Sequence, residues 1–254
     1  KGGGGSSFSN SNSKNRNKNT NFNADFRLEW KPDTLTNIIF RPNVSYGKSN
    51  GASVSESGTF NQDPFNFATN PNDYLNLKWL EEHPDEDPLQ GRINTSNNQS
   101  LSESNSLSAN ASLQVNRKLN NQGRNITFRG TFGYGDNDSE QFTDYQTYYY
   151  DKDKNDIRKQ YITSPTKNYD YTAQLTYSEP IARATFLQLS YRFQYKHSES
   201  DKSTYSLIPE DEKEQDWLWE LGDNLPERYK ENFVDSLSKN AKYDYYNHEI
   251  NAGL

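Results

Sequence analysis

The feature that most constrains this chain is an alternation of apolar and polar residues with a period of two. Phe22, Ala24, Phe26, Leu28 and Trp30 are interleaved with Asn21, Asn23, Asp25, Arg27 and Glu29. Such a period puts successive side chains on opposite faces of a strand, so one face is greasy and the other polar. The pattern returns in Ile38, Phe40, Val44, Tyr46, then in Leu107, Ala109, Ala111, Leu113, Val115, and in Ile126, Phe128, Gly130, Phe132, Tyr134. Later ladders are Tyr169, Tyr171, Ala173, Leu175, Tyr177, then Leu187, Leu189, Tyr191, Phe193, Tyr195, and finally Tyr246, His248, Ile250, Ala252, Leu254. They predict seven strands, near 14–30, 37–47, 99–117, 126–136, 160–178, 184–198 and 240–254.

Composition says what those strands cannot build. Leu, Ile, Val and Phe make up only 45 of 254 residues, below the roughly 20% at which a water-soluble core becomes doubtful. Yet 18 Tyr, 13 Phe and 4 Trp are more aromatics than a disordered chain carries. A thin, two-faced sheet fits this mixture; a soluble α/β enzyme does not. The net charge of −7 argues against a nucleic-acid partner, because phosphate needs a basic surface. Without Cys, disulfides, thiolate metal sites and Cys nucleophiles are excluded. Without Met, the chain is expected to be part of a longer protein.

The connections between ladders alternate in length. Short turns are expected near 31–36, 118–125 and 179–183, and long ones near 48–99, 136–160 and 198–240. Short turns on one side and long loops on the other are the layout of an outer-membrane β-barrel. No apolar run approaches a helical membrane span, but barrel strands need only about 9–11 tilted residues. The expected fold is therefore all-β, an antiparallel transmembrane β-barrel with about seven strands in residues 1–254. Several strands would project past the bilayer on the long-loop side. An odd number of strands, the last ending abruptly, implies completion by more chain, since unpaired edges cannot face lipid.

Leu28-Glu29-Trp30-Lys31-Pro32-Asp33 with Thr34 to Ile38, and Tyr177-Ser178-Glu179-Pro180 into Phe186 to Phe193, resemble the outer-membrane β-barrel proteins of the Bacteroidota type. Those are similar to TonB-dependent receptors. The resemblance implies a bacterial outer-membrane location, a larger barrel of about 22 strands, solute uptake, and an inner-membrane energy-coupling complex as partner. Nothing in the sequence matches the N-terminal plug of such receptors or its coupling box.

Lumen lining is expected from Asp25, Arg27, Glu29, Arg41, Arg129, Gln174, Gln188 and Arg192, through charge and hydrogen bonding. A lipid-facing aromatic girdle is expected from Phe22, Phe26, Trp30, Tyr177 and Tyr191. Lys14, Arg16 and Lys18 share the parity of Phe22 and are expected to meet lipopolysaccharide phosphates at the rim.

The acidic runs Glu81, Glu82, Asp85, Glu86, Asp87 and Glu210, Asp211, Glu212, Glu214, Asp216 read as solvated loops, with a divalent cation as the alternative. Asp151-Lys-Asp153-Lys-Asn155 opens like an EF-hand loop but has Asp156 at position six and Ile162 at position twelve, so the mimic fails. Short helices are expected from about Asn72 to Glu82, with Tyr74, Leu75 and Trp79 packing. Another is expected after Pro226, with Tyr229, Phe233 and Leu237 at spacing four beside Val234, and Trp217, Leu218 and Leu221 as its partner turn. Such caps protect the loops or dock a surface lipoprotein.

His83, His197 and His248 fall in no triad or zinc spacing, and Gly2 to Gly5 lacks the strand and helix of a phosphate loop. Catalysis and a bound cofactor are therefore not expected. The function expected is an outer-membrane receptor-transporter with loop capture and a polar lumen. Its alternatives are a non-transporting scaffold barrel and a soluble β-sandwich adhesin.

Overall fold

The structure, a computed structural model, describes residues 7–66, 68–75, 82, 83, 92–150, 152, 154–206 and 233–254. It is all-β and antiparallel: β1 (Phe8–Asp25), β2 (Leu28–Trp30), β3 (Thr36–Phe60), β4 (Arg92–Lys118), β5 (Asn125–Tyr149), β6 (Lys154–Thr163), β7 (Thr166–Ala182), β8 (Thr185–Ser206) and β9 (Lys239–Gly253) form one sheet.

Nine strands make seven runs. β1 and β2 pair with β3 in one continuous register, Asp25 opposite Asn43 and Leu28 opposite Phe40. Their interruption lies beside Pro42, which has no N–H to donate, while the Phe26 N–H still donates to the Pro42 carbonyl at 3.0 Å. β6 and β7 likewise share one register on β5, with Glu140 opposite Thr163 and Asn137 opposite Thr166. Their break falls at Pro165, whose carbonyl accepts from Asp201 N–H at 3.1 Å. Every run pairs with its neighbours in sequence. Among the described residues β1 and β9 each pair on one side only, so the sheet is open.

The short turns are held locally. Asp33 Oδ1 accepts from Leu35 N–H at 2.8 Å, and Arg117 bonds both Asp33 and Thr36. Asn120 Oδ1 accepts from Gln122 and Arg124 N–H at 2.9 and 3.1 Å. Gly123 sits there at φ 105°, where a Cβ would also meet the Phe186 ring at 3.0 Å. Arg183–Ala184 closes β7 onto β8, with Ala184 at φ 62°.

The strands outrun the sequence prediction. β3 continues to Phe60, β4 begins at Arg92, and β5 reaches Tyr149, so the long connection expected over 136–160 is two strands joined by a short turn. Ser and Asn make up much of the added β3 and β4 residues, with few apolar residues among them, and the ladder carries them. Of the expected helix over 72–82, the described residues are Asn72–Leu75, within the 3-10 turn Pro71–Leu75, and Glu82, which is helical; Trp79 lies outside the described residues. So do Pro226, Tyr229, Trp217, Leu218 and Leu221. Phe233 does not continue a helix but bridges to Tyr205, and Asp235–Leu237 is a 3-10 turn.

The dry core is small and lies toward the long-loop end. It joins Ala52, Leu101, Phe142 and Tyr161, with Tyr205 packed against it. Leu75 is fully buried near Gly58, where a Cβ would approach it to 2.7 Å.

Candidate functional site: an apolar belt with a polar reverse

Reading across the ladders puts Trp30, Ile38, Val115, Phe128, Leu175, Tyr191 and Ile250 on one row through all seven runs. From this row an apolar belt can be traced strand by strand on one face. On the first three runs it spans Phe22–Trp30, Ile38–Tyr46 and Leu107–Val115. On β5 and β7 it spans Ile126–Tyr134 and Tyr169–Tyr177, one row nearer the short turns. On β8 it spans Leu187–Tyr195, and on β9 it runs from Tyr246 through Ala252 to Leu254, one row further again.

Each run therefore gives five belt positions, and the belt slides two rows across the sheet. Eight residue steps at about 3.4 Å make about 27 Å along a strand. A slide of four residues over six strand spacings of about 4.8 Å corresponds to a slant of about 25°. Belt side chains on the two outermost runs are the most exposed, Ile250 at 82%, Trp30 at 63% and Phe22 at 60%, while most on the inner runs are half-buried.

The edge toward the long loops is aromatic. It reads Phe22, Tyr46, Leu107, Tyr134, Tyr169, Tyr195 and Tyr246. The row beyond it is wholly polar: Thr20, Lys48, Asn105, Asp136, Lys167, His197 and Asp244. Tyrosine hydroxyls reach into that polar row. Tyr46 donates to Asn105 at 3.5 Å, Tyr134 to Asp136 at 3.1 Å, and Tyr195 to Asp244 at 2.8 Å. Asp244 also meets His197 Nδ1 at 2.5 Å, and His197 Nε2 meets Glu199 at 2.9 Å. Within the belt, His248 Nδ1 bonds the Tyr191 hydroxyl at 2.7 Å.

Of the residues expected in a girdle, Phe22 lies on this edge, while Trp30 and Tyr177 lie on the short-turn edge. Phe26 and Tyr191 stand at mid-height. Tyr46, Tyr134, Tyr169, Tyr195 and Tyr246 were missed as edge residues, because their common level depends on cross-strand register. The Tyr177 hydroxyl donates to Glu179, and Arg124 forks onto the same carboxylate with two bonds of 2.7 Å. The Arg124 fork, then the Tyr177 hydroxyl, hold the Glu179 carboxyl well below its usual range, to about 2.

The reverse face is mostly polar. Glu29, Arg129, Gln174 and Arg192 share one row on it, with Ile39 and Gln114 between the first two and Glu249 at the end. Arg129, Gln174 and Gln188 line one concavity of about 480 Å³ with Thr127, Ser178 and Ser190. Arg192 lies beside it, 3.6 Å from Glu249.

The other expected lumen residues form a second group near the first edge. Asn43 donates to Asp25, Arg27 pairs with Glu29 at 3.3 Å, and Arg41 lies on the same face of β3. Farther toward the long loops this face bears only Ser, Asn, Thr and Gly on β1, β3 and β4, from Ser9 to Asn23, Ser45 to Thr59 and Asn94 to Asn110.

Lys14, Arg16 and Lys18 lie on the belt face, opposite Val54, Ala52 and Asn50. Of the acidic runs only Glu82 is described; Glu81, Asp85, Glu86, Asp87, Glu210, Asp211, Glu212, Glu214 and Asp216 lie outside the described residues, as do Asp151 and Asp153. Among the described residues no helix is long and apolar enough to cross a membrane. Comparison of the chain with protein-family models and with curated proteins gives no match.

Proposed function

We propose that this chain forms part of the wall of a bacterial outer-membrane β-barrel, with the belt toward lipid and the polar face toward a lumen. The observation that carries the reading is the slanted belt of constant height with a tyrosine edge. Five rows make about 21–25 Å along a membrane normal at tilts of about 25–40°, close to the apolar band of about 25 Å on outer-membrane barrels. A soluble sheet has no reason to keep one height while sliding along its strands. Tyrosines belong where hydrocarbon meets water, ring inward and hydroxyl outward. Both open edges then need pairing, because backbone groups left unsatisfied in hydrocarbon cost several kcal/mol each.

Through this wall the protein takes up a solute. The long-loop end captures it, and carboxamides, hydroxyls and the Arg129–Gln174–Arg192 row line its path. Gel mobility of the full-length protein from outer-membrane extracts, unheated and boiled, tests the wall. A heat-dependent shift is expected; a soluble protein without one overturns the reading in favour of an adhesin.

Solute flux into proteoliposomes then tests uptake. A second reading, a scaffold barrel that docks surface lipoproteins, is favoured by the dry core beyond the belt. A heat-modifiable barrel without flux selects it.

A further inference from the structure

We infer that Arg129 is an anion-binding station on the polar face and that the solute taken up carries a carboxylate beside hydroxyl groups; this rests on the membrane reading above and names the chemistry of its cargo. The distribution of charge between the two faces carries the inference. In a protein of net charge −7, the reverse face of β3, β4, β5, β7 and β8 behind the belt bears Arg41, Lys118, Arg129, Arg192 and Lys196. Of the carboxylates on these five strands only Asp170 shares that face. Glu56, Glu103, Glu140, Asp144, Glu199 and the others have the parity of the belt. The sheet is thus acidic on one side and basic on the other.

The basic side chains differ in what they already hold. Arg192 lies 3.6 Å from Glu249, and Lys196 stands opposite Asp170 in the register. Arg129 has no hydrogen bond or ion pair among the described residues, and it is exposed. Its cross-strand partners are Gln114 and Gln174, and Thr127 and Thr131 flank it along β5. None of the four carries a charge. Arg129 opens on the concavity of about 480 Å³ that Gln174, Gln188, Ser190 and Asn251 also line.

A guanidinium is a planar fork that matches a carboxylate with two parallel hydrogen bonds. One unmatched positive charge among neutral neighbours calls for one negative charge. The carboxamides and hydroxyls around it both donate and accept, which is what a hydroxylated solute needs. Ala252 is the one aliphatic side chain lining the concavity, so an apolar solute has little to bury against.

The test uses the full-length protein purified from outer membranes, with Thr131→Cys as a reporter. Thr131 is exposed on the same face, about 7 Å along the strand from Arg129. Rates of modification are measured with an anionic and a cationic methanethiosulfonate, sulfonatoethyl and trimethylammonioethyl, above the background of the parent. Combining Thr131→Cys with Arg129→Gln is expected to lower the anionic-to-cationic rate ratio by about fivefold in low salt. That is the scale of one charge at such a distance acting with opposite sign on the two reagents. Arg129→Lys in its place should keep the ratio. Gluconate should lower the ratio when Arg129 is present and leave it unchanged with Arg129→Gln, and its neutral counterpart sorbitol should have no effect on either.

A ratio indifferent to Arg129→Gln, or gluconate and sorbitol acting alike, overturns the inference while the heat-dependent gel shift leaves the barrel standing. A reporter that reacts with neither reagent in a heat-modifiable barrel also overturns it, because the concavity is then filled by protein. Loss of the shift in Arg129→Gln does the same, since the guanidinium would then be holding the wall together. A parent that is soluble and shows no shift removes the membrane reading itself, and the station with it.

Discussion

The same face of the same strands meets two different surroundings. In the belt, on the two outermost runs, Trp30, Leu28, Phe22 and Ile250 stand more than half exposed. Some fourteen residues further along from Trp30, Ala52, Leu101, Phe142 and Tyr161 share one row and are covered, with Phe142 at 4% and Tyr161 at 0%. The chain thus buries apolar side chains toward the long-loop end and leaves the five belt rows partly exposed. Hydrophobic burial is worth about 25 cal/mol per Å² in water, and contact of the exposed aromatic rows with lipid is what the proposed membrane reading supplies in its place. Under the membrane reading proposed above, one sheet would meet water at one end and lipid at the other.

Removing a ring from the covered region should have the largest effect. Phe142→Ala is expected to cost about 3–5 kcal/mol of local stability, seen as faster protease cleavage at the long-loop end with the gel shift intact. In the bare region, Ala111→Arg at mid-belt should cost about 2–4 kcal/mol, as a cation at the midplane of a barrel's lipid face does. Ser112→Arg, one residue along and on the polar face, should cost far less; urea unfolding from vesicles checks both. Equal effects would erase the distinction between the faces.

Smaller effects separate the two ends by pH. Burial pushes the Asp144 carboxyl up, and Lys159 at 3.7 Å only partly offsets it. A raised carboxylate destabilises the fold when ionised, so the covered region should tighten as pH falls through that value. Asp144→Asn should tighten it at neutral pH and remove this dependence, read by hydrogen exchange of β5 and β6.

Glu179 has the opposite sign. Its contribution is complete above the ordinary carboxylate range and is lost as pH falls toward about 2. Glu179→Gln should flatten that acid limb at the short-turn end, the smallest change of the four.

Strand identity, short turns and the two faces were legible from residues alone, because Phe22 to Trp30 and its successors alternate strongly. Strand length was not. In β3 beyond Tyr46 and β4 before Leu107, Ser, Gly and Asn carry no face preference, and only pairing with a neighbour fixes them as strand.

The grouping of site residues was legible in part. Parity put Arg129, Gln174, Gln188 and Arg192 on one face, but the convergence of the first three on one concavity, with Arg192 beside it, needed the β5–β7–β8 register. The tyrosine edge escaped for the same reason: Tyr46 and Tyr246 are level only after a slide of two rows that no single strand reveals. The Asp244–His197–Glu199 chain joins residues 47 apart in sequence, beyond any local pattern.

The unbroken nearest-neighbour order also bears on assembly. Hairpins closed at 31–35, 119–124 and 183–184 can form before the connections that join them. Bridging residues 61–91 instead of a five-residue turn adds only about 1.6 kcal/mol of closure entropy. The sheet is thus suited to growing by whole hairpins, each arriving with both faces already sorted and no strand waiting for a distant partner.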